Sequence, residues 1–95
     1  MSLITNLNKV FESRVRLGIM SILSVNDAAD FNTMKELLDV TDGNLASHLK
    51  ALESLEYVQS TKQFLGRKPN TQYRITLLGR KHFQEHIDAL AKLIN

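Results

Sequence analysis

The sequence predicts a mainly α-helical α+β domain with about four to five helices and a small β-sheet of two to three strands. Three observations support this prediction. Apolar residues recur at helical spacing up to Leu55, the period changes to two from Tyr57 to Leu77, and helical spacing then returns. The 95 residues, 43% hydrophobic and 23% charged, are typical of one soluble domain spanning residues 1–95.

The composition excludes several classes of protein. Because the chain contains no cysteine, it has no disulfide framework, thiolate metal site or cysteine redox switch. No apolar run approaches the roughly 20 residues that span a bilayer, and no basic segment followed by an apolar one opens the chain. We therefore expect a cytoplasmic protein without membrane contact or cofactor.

Positive charge is concentrated in one part of the chain. The net charge is only +2, but no acidic residue occurs from Tyr57 through Gln84. The basic residues of this stretch are Lys62, Arg67, Lys68, Arg74, Arg80 and Lys81. Such a patch favours a polyanionic partner, because each phosphate that a cation neutralises releases condensed counterions.

The first part of the chain predicts two helices. Leu7, Val10 and Phe11 fit a short leading helix. Ser13 is a suitable cap for a second helix, whose apolar residues recur at helical spacing until about Val25.

A turn and a third helix are expected next. Residues 26–30 are rich in turn formers, and Phe31-Asn32 suits a very short strand. Thr33 followed by Glu36 has the form of a capping box, which predicts a helix from Met34 to about Val40.

A two-sided helix is predicted from Asn44 to Leu55, after a break at residues 41–44 that contains Gly43. Its apolar stripe consists of Leu45, Leu49, Leu52 and Leu55. Its opposite face is small and polar, and consists of Gly43, Asn44, Ser47, Lys50 and Ser54. Nothing bulky on that face prevents close approach to a partner.

The remaining chain predicts a hairpin and a last helix. The hairpin covers Tyr57 to Thr76, with a tip at residues 66–70. Thr76 then starts a helix over about residues 77–94. Its apolar stripe, which can pack inward or against a partner, consists of Phe83, Ile87, Leu90 and Ile94.

Two short helices, a tight turn and a basic hairpin follow the order of a winged helix-turn-helix. The runs TDGNLASHLKALESLEYV and FLGRKPNTQYRITLLGRKHF resemble small stand-alone winged-helix regulators related to the MarR and ArsR families. The resemblance covers Val10 to about Leu90. It implies a helix-turn-helix at about residues 33–55, a wing at about 57–76, and a homodimer formed through the terminal helices.

The resemblance also implies a function. The helix from Asn44, the recognition helix, would lie in the major groove of double-stranded DNA, and the wing would contact phosphate or the minor groove. We therefore expect a transcriptional regulator rather than an enzyme. Many relatives have glycine before the first wing strand, where this chain has Glu56. Relatives that sense metals use cysteines, so the chain is not expected to share that mode of regulation.

The candidate DNA-binding residues lie on the recognition helix and the wing. An asparagine pairs with adenine, a lysine reaches guanine acceptors, and cations on a hairpin tip contact phosphate more often than bases. The predicted set is Thr41, Gly43, Asn44, Ser47, Lys50, Lys62, Arg67, Lys68 and Arg74. Arg80 and Lys81 lie at the start of the last helix, where the helix dipole disfavours cations, so an anionic group is expected nearby.

Three alternatives accompany this interpretation. His48 lies beside the leucine stripe, so a half-buried, hydrogen-bonded structural role is favoured over DNA contact. His82, Glu85 and His86 match the H-x-x-E-H pattern of inverted zinc peptidases, although so short a chain offers little room for a third ligand and a cleft. A winged-helix module that binds protein instead of DNA is the other alternative.

Overall fold

The fold was analysed in a computed structural model that describes residues 2–95. Within this range it contains four α-helices and a three-stranded antiparallel sheet, which confirms the mainly helical α+β prediction. The helices are α1 (Arg14–Val25), α2 (Phe31–Leu38), α3 (Asp42–Ser54) and α4 (Leu77–Ile94), and the strands are β1 (Ala29–Asp30), β2 (Val58–Leu65) and β3 (Lys68–Ile75). Over the described residues, no helix combines the length and the apolar character needed to cross a membrane.

The predicted hairpin is formed by β2 and β3, with register from Val58–Ile75 at its base to Leu65–Lys68 at its tip. Strand β1 pairs with β3 only at Tyr73 and Gln72, close to the base. The outer part of the wing therefore projects beyond the rest of the sheet, in a molecule 55 Å long.

The first helices agree closely with the sequence. Ser13 caps α1 by accepting a hydrogen bond from the Arg16 backbone N–H at 3.3 Å, and α1 ends at Val25 as expected. The leading helix is a single 3₁₀ turn, Lys9–Glu12, capped by Asn8. Its short length is consistent with the poorer hydrogen-bond geometry of 3₁₀ turns.

The start of α2 differs from the prediction by three residues. Asp30, rather than Thr33, is the N-cap, and its carboxylate accepts the Thr33 backbone N–H at 2.7 Å. Phe31, expected in a strand, opens the helix, while the short strand is Ala29–Asp30. The capping-box interpretation of Thr33 and Glu36 is therefore wrong, because the helix begins three residues earlier and the Asp30 carboxylate caps it by accepting the Thr33 backbone N–H.

The turn before α3 also begins earlier than predicted. Asp39, with a φ of 52°, ends α2 in the left-handed conformation, and Thr41 caps α3. Gly43 consequently lies in the first turn of α3 rather than in the break, and a Cβ added there would meet no atom within 4 Å. The helix therefore starts two residues before the predicted Asn44.

The core lies between α1, α3, the base of the wing and α4. The largest fully buried side chains are Phe11, Ile19, Met20, Leu23, Met34, Leu45, Leu49 and Leu52. Burying each of the larger apolar side chains contributes about 1.5–3 kcal/mol. Leu55, the fourth member of the predicted stripe, is instead 41% exposed because it is the C-cap residue, where the chain leaves the helix.

Helix α4 buries a different row from the one predicted. Gly79, Phe83, His86 and Ala89 are buried, whereas Ile87 is 36% and Ile94 86% exposed. Of the predicted stripe, only Phe83 is buried and Leu90 half-buried. The small Gly79 and Ala89 occupy inward positions because the helix packs close to its neighbours, which a pattern of large apolar residues does not reveal.

Glu56 occupies the position before the first wing strand in a left-handed conformation, with a φ of 63°. Its carbonyl accepts a hydrogen bond from the Thr76 hydroxyl at 2.6 Å, which joins the two ends of the wing. A non-glycine residue in this conformation is strained by about 1–2 kcal/mol. Glu56, which stands where many relatives have glycine, is thus a strained position in the fold.

We expect Glu56→Gly to raise the free energy of unfolding by about 0.5–1 kcal/mol, because the relief of strain exceeds the extra entropy of the unfolded glycine. Urea unfolding measures the change. Gln59→Gly, at an exposed position of β2, is the control and should destabilise the protein. A Glu56→Gly protein that is no more stable than wild type would show that the left-handed backbone conformation of Glu56 is not strained.

Candidate nucleic-acid interface

Helix α3 presents the predicted polar face to solvent. Leu45, Leu49 and Leu52 fix the helix against the core. The exposed residues on the opposite side are Gly43, Asn44, Ser47, Lys50 and Ser54. Thr41 lies at the amino-terminal end of α3, where its hydroxyl accepts the Asn44 backbone N–H at 3.2 Å and so caps the helix. Apart from Lys50, the face carries only short side chains, so the helix can approach the base edges of a groove closely.

The wing carries cations that are not neutralised by the protein. Lys62, Arg67 and Lys68 are all exposed, as is Lys50 on α3. Across residues 2–95 the structure contains a single ion pair, between Lys35 and Asp42 at 2.8 Å. The wing cations and Lys50 therefore have no carboxylate within 4 Å, which leaves their charge available to an anion.

The turn of the wing is tighter than the predicted tip at residues 66–70. Only Gly66 and Arg67 form the turn, since Lys68, Pro69 and Asn70 already belong to β3. Gly66 has a φ of 67°, and Arg67 is not among the residues of positive φ. This pattern is that of a type II′ turn, which requires glycine at its first central position.

Asp30 joins the wing to the helices. Besides capping α2, its carboxylate accepts a hydrogen bond from the Asn70 amide at 3.3 Å, and the Asn70 oxygen accepts one from Gln72 at 2.9 Å. Hydrogen bonds from Thr33 in particular hold the pKa of Asp30 below its ordinary value. This network is not visible in the sequence, because Asp30 and Asn70 are 40 positions apart in the chain.

Two predicted or candidate cations are exposed but also contact backbone carbonyls. Arg74 donates to the Asp27 carbonyl oxygen at 3.5 Å, and Arg80 donates to the Ser24 carbonyl oxygen at 3.1 Å. Ser24 lies in the last turn of α1, where unpaired carbonyls form the negative end of the helix dipole. A backbone carbonyl at the negative end of α1, rather than the expected anionic group, is therefore the partner of Arg80.

His48 has the structural role that the sequence favoured. It is half-buried, and its Nδ1 atom accepts a hydrogen bond from Arg16 Nε at 2.9 Å. An imidazole that accepts at Nδ1 carries its proton on Nε2. The pair joins α1 to α3 and so orients the recognition helix.

Both histidines of the H-x-x-E-H pattern contact other parts of the protein. His82 Nδ1 lies 2.7 Å from the Tyr57 hydroxyl, while His86 is 3% exposed and accepts the Asn8 backbone N–H at 2.9 Å. Over the part of the chain that the structure describes, no group of three histidine, cysteine or acidic residues is arranged to hold a metal. The two histidines instead attach the wing base and the amino-terminal segment to α4.

These contacts give the stability a predictable pH dependence. Burial lowers the pKa of His86, against a smaller opposing effect of Glu12, and burial together with Arg16 lowers the pKa of His48. In the unfolded chain both histidines titrate near their ordinary pKa of 6.5. As the pH falls below 6.5, the unfolded state binds more protons than the folded state. The free energy of unfolding therefore decreases with falling pH, until the pH is below the lowered pKa values of the folded state.

We therefore expect the melting temperature to be lower at about pH 5.5 than at about pH 7.5, as measured by circular dichroism. The double variant His48→Gln/His86→Gln should lose most of this difference, because glutamine does not titrate. A wild-type protein equally stable at both pH values would contradict the lowered pKa values of His48 and His86 in the folded state.

The fold and these surfaces define a class of protein. Two helices joined by a tight turn, the second with a free polar face, followed by a β-hairpin with exposed cations, constitute a winged helix-turn-helix. Residues 15–94 match the family of winged helix DNA-binding domains. The chain belongs to this family, and the resemblance inferred from its motifs is confirmed.

Relatives and solved structures agree with this assignment. The chain is 38% identical over 85 residues to an uncharacterized protein of Methanocaldococcus jannaschii, covering 90% of this chain and 92% of that one. It is 30% identical to a transcriptional regulator homologue of Pyrococcus horikoshii, with a TM-score of 0.85 and coverage of 97% and 89% of the two chains.

A more distant structure shares the fold. A protein of Porphyromonas gingivalis assigned to the MarR family of transcriptional regulators is 21% identical, with a TM-score of 0.73 and coverage of 90% and 81%. Together these findings support a regulatory DNA-binding role, in a family that is typically not enzymatic.

Proposed function

We propose that the protein is a sequence-specific transcriptional regulator that binds duplex DNA through α3 and the wing. The observation that carries this proposal is the pairing of a free polar helix face with exposed cations that no carboxylate neutralises. The geometry supports α3 in the major groove, where Asn44, Ser47 and Lys50 reach base edges or phosphates. Thr41 and Gly43 lie at the end of α3 that approaches the backbone.

The wing supplies the second contact. Arg67 and Lys68 at its tip, with Lys62 further along, contact phosphates or the minor groove beside the half-site. Arg74 belongs to the predicted set, but its hydrogen bond to the Asp27 carbonyl directs it toward the protein. We assign it the weakest DNA contact of the set.

The active species is proposed to be a homodimer formed through the terminal segments. Apolar side chains are exposed at both ends of the chain, including Leu3 at 79%, Ile4 at 63% and Ile94 at 86%. Exposed apolar groups of this kind favour association with a second copy. A dimer with two-fold symmetry would bind half-sites about 10–10.5 base pairs apart.

Selection of bound sequences from random duplex DNA tests both parts of this proposal. We expect an enriched pseudo-palindrome, bound by two copies of the chain and about 10³-fold or more tighter than a scrambled duplex at physiological salt. Fluorescence anisotropy measures the affinities, and sedimentation measures the stoichiometry. Equal affinity for both duplexes would contradict sequence-specific binding, and no binding to either duplex would favour a module that binds protein.

A further inference from the structure

The tip of the wing carries large apolar side chains that have no role in the proposed phosphate contacts. Phe64 is 72% exposed and Leu65 60% exposed, and Pro69, which pairs with Phe64 across the hairpin, is exposed as well. At Gly66, between them, an added Cβ would meet no atom within 4 Å. The end of the wing is thus apolar and uncovered.

This apolar tip is separate from the core. Phe64 lies six positions along β2 from the buried Val58, a distance of about 20 Å in an extended strand. The intervening residues of β2 are exposed and polar. Exposed apolar groups at the end of a hairpin promote aggregation, so they are unfavourable unless a partner buries them.

The side chains point to both sides of the hairpin. Residues opposite each other in an antiparallel pair share a face, so Phe64 and Pro69 lie on one side and Leu65 and Lys68 on the other. Between these pairs the chain turns in only two residues, Gly66 and Arg67. The wing therefore ends in a narrow apolar wedge.

The charges around this wedge indicate its partner. Arg67 lies in the turn and Lys68 directly after it, and no acidic residue occurs in the whole wing. The minor groove of DNA is about 6 Å wide and is lined on both sides by phosphates. A narrow apolar end flanked by cations is complementary to that groove, where proteins insert Phe, Leu and Pro between base pairs.

We propose that the tip of the wing enters the minor groove and that Phe64 inserts into a base-pair step, while Leu65, on the opposite face of the hairpin, packs against the groove and Arg67 and Lys68 hold the flanking phosphates. This inference rests on the proposed function and extends it from binding to bending of the duplex. Insertion unstacks the step and kinks the DNA by about 20–90°. Pyrimidine–purine steps unstack most easily, so the wing selects them without hydrogen bonds to bases.

The test uses the duplex that the wild-type protein selects from random DNA, in two labelled forms. One carries a fluorophore pair at its ends, which reports the bend by energy transfer. The other carries 2-aminopurine in the step beside the half-site, which becomes brighter when the base is unstacked. The variants are Phe64→Ala/Leu65→Ala and, as a matched control at the same tip, Arg67→Ala/Lys68→Ala.

We expect wild type to bend the duplex by about 20–90° and to brighten the 2-aminopurine. At saturating protein, Phe64→Ala/Leu65→Ala should lose both signals while its affinity falls by no more than about tenfold, because the lost apolar contact is offset by the avoided unstacking. Arg67→Ala/Lys68→Ala should bind more weakly but retain the bend once saturated.

Two other results would overturn the inference. If Phe64→Ala/Leu65→Ala binds the duplex and bends it as wild type does, the wedge is wrong while DNA binding stands. If wild type binds vesicles of phosphatidylserine and phosphatidylcholine through Phe64 and Leu65 and binds no DNA, the tip is a lipid contact and the proposed function fails with it.

Discussion

Replacing Gly79 with alanine is expected to lower the free energy of unfolding by about 3 kcal/mol, the largest stability effect of any single change considered. Gly79 lies in the first turn of α4, directly against the backbone of Tyr57. A Cβ there would overlap the Tyr57 carbonyl oxygen and approach its carbonyl carbon and Cα to 2.9 Å.

The backbone of Tyr57 cannot move aside cheaply. Its carbonyl accepts the Thr76 backbone N–H at 3.0 Å, and its N–H donates to the Leu52 carbonyl at 3.0 Å. Its ring packs 5.5 Å from that of Phe11 in the core. An added methyl group must therefore displace α4 from the wing base, and with it the hydrogen bonds that close the wing.

Urea unfolding of Gly79→Ala and Gly43→Ala provides a matched comparison of two helical glycines. Gly43 has no atom within 4 Å of an added Cβ, so alanine there should stabilise the protein by about 0.5–1 kcal/mol. Opposite signs for the two substitutions are expected. A Gly79→Ala protein as stable as wild type would show that α4 does not pack against Tyr57 in this way.

Removing both cations of the turn should have the largest effect on DNA binding. We expect Arg67→Ala/Lys68→Ala to weaken binding of the selected duplex about 10- to 100-fold, and to reduce the slope of log K against log salt by about 1.8. The reason is the loss of two phosphate contacts, each of which releases about 0.9 counterion in B-DNA. Anisotropy titrations across a salt series measure both quantities.

Arg80→Ala is the control for this prediction, since it removes a cation from the same acid-free segment. Its guanidinium donates to the Ser24 carbonyl oxygen, so its loss should leave the salt slope unchanged. An unchanged slope for Arg67→Ala/Lys68→Ala would mean that the turn does not contact phosphate. A loss equal to that of Arg80→Ala would indicate only a general charge effect.

The sequence predicted the elements of this fold well because most of their signals are local. Ser13, Thr76 and the apolar period of α1 and α3 act within one or two helical turns, and these predictions are confirmed except at Leu55, which is exposed. The order of helices and hairpin then sufficed to identify the winged helix, which the family match confirms.

The errors arise where residues distant in sequence compete or pack closely. Asp30 and Thr33 are both good caps, and the pairing of Ala29 with Tyr73 in the sheet decides in favour of Asp30. The inward row of α4 depends on how close the Tyr57 backbone comes, which no period in α4 encodes.

The site shows the same division. The polar face of α3 and the acid-free wing were visible in the sequence, whereas the partners of its histidines and of Arg74 were not. His48, His82 and His86 each bond to a residue 25 or more positions away. The assignment of individual residues to DNA stays a prediction.

The central claim, that duplex DNA lies across the exposed face of α3, has a direct test because the chain contains no cysteine. Ser47→Cys and Ala91→Cys each introduce one exposed thiol, the first on that face and the second on α4. An iron chelate attached to each thiol generates radicals that cut nearby DNA. We predict clustered cuts within each half-site of the selected duplex from position 47 and none from position 91. An uncut duplex from position 47, or the same cuts from both positions, would contradict the account.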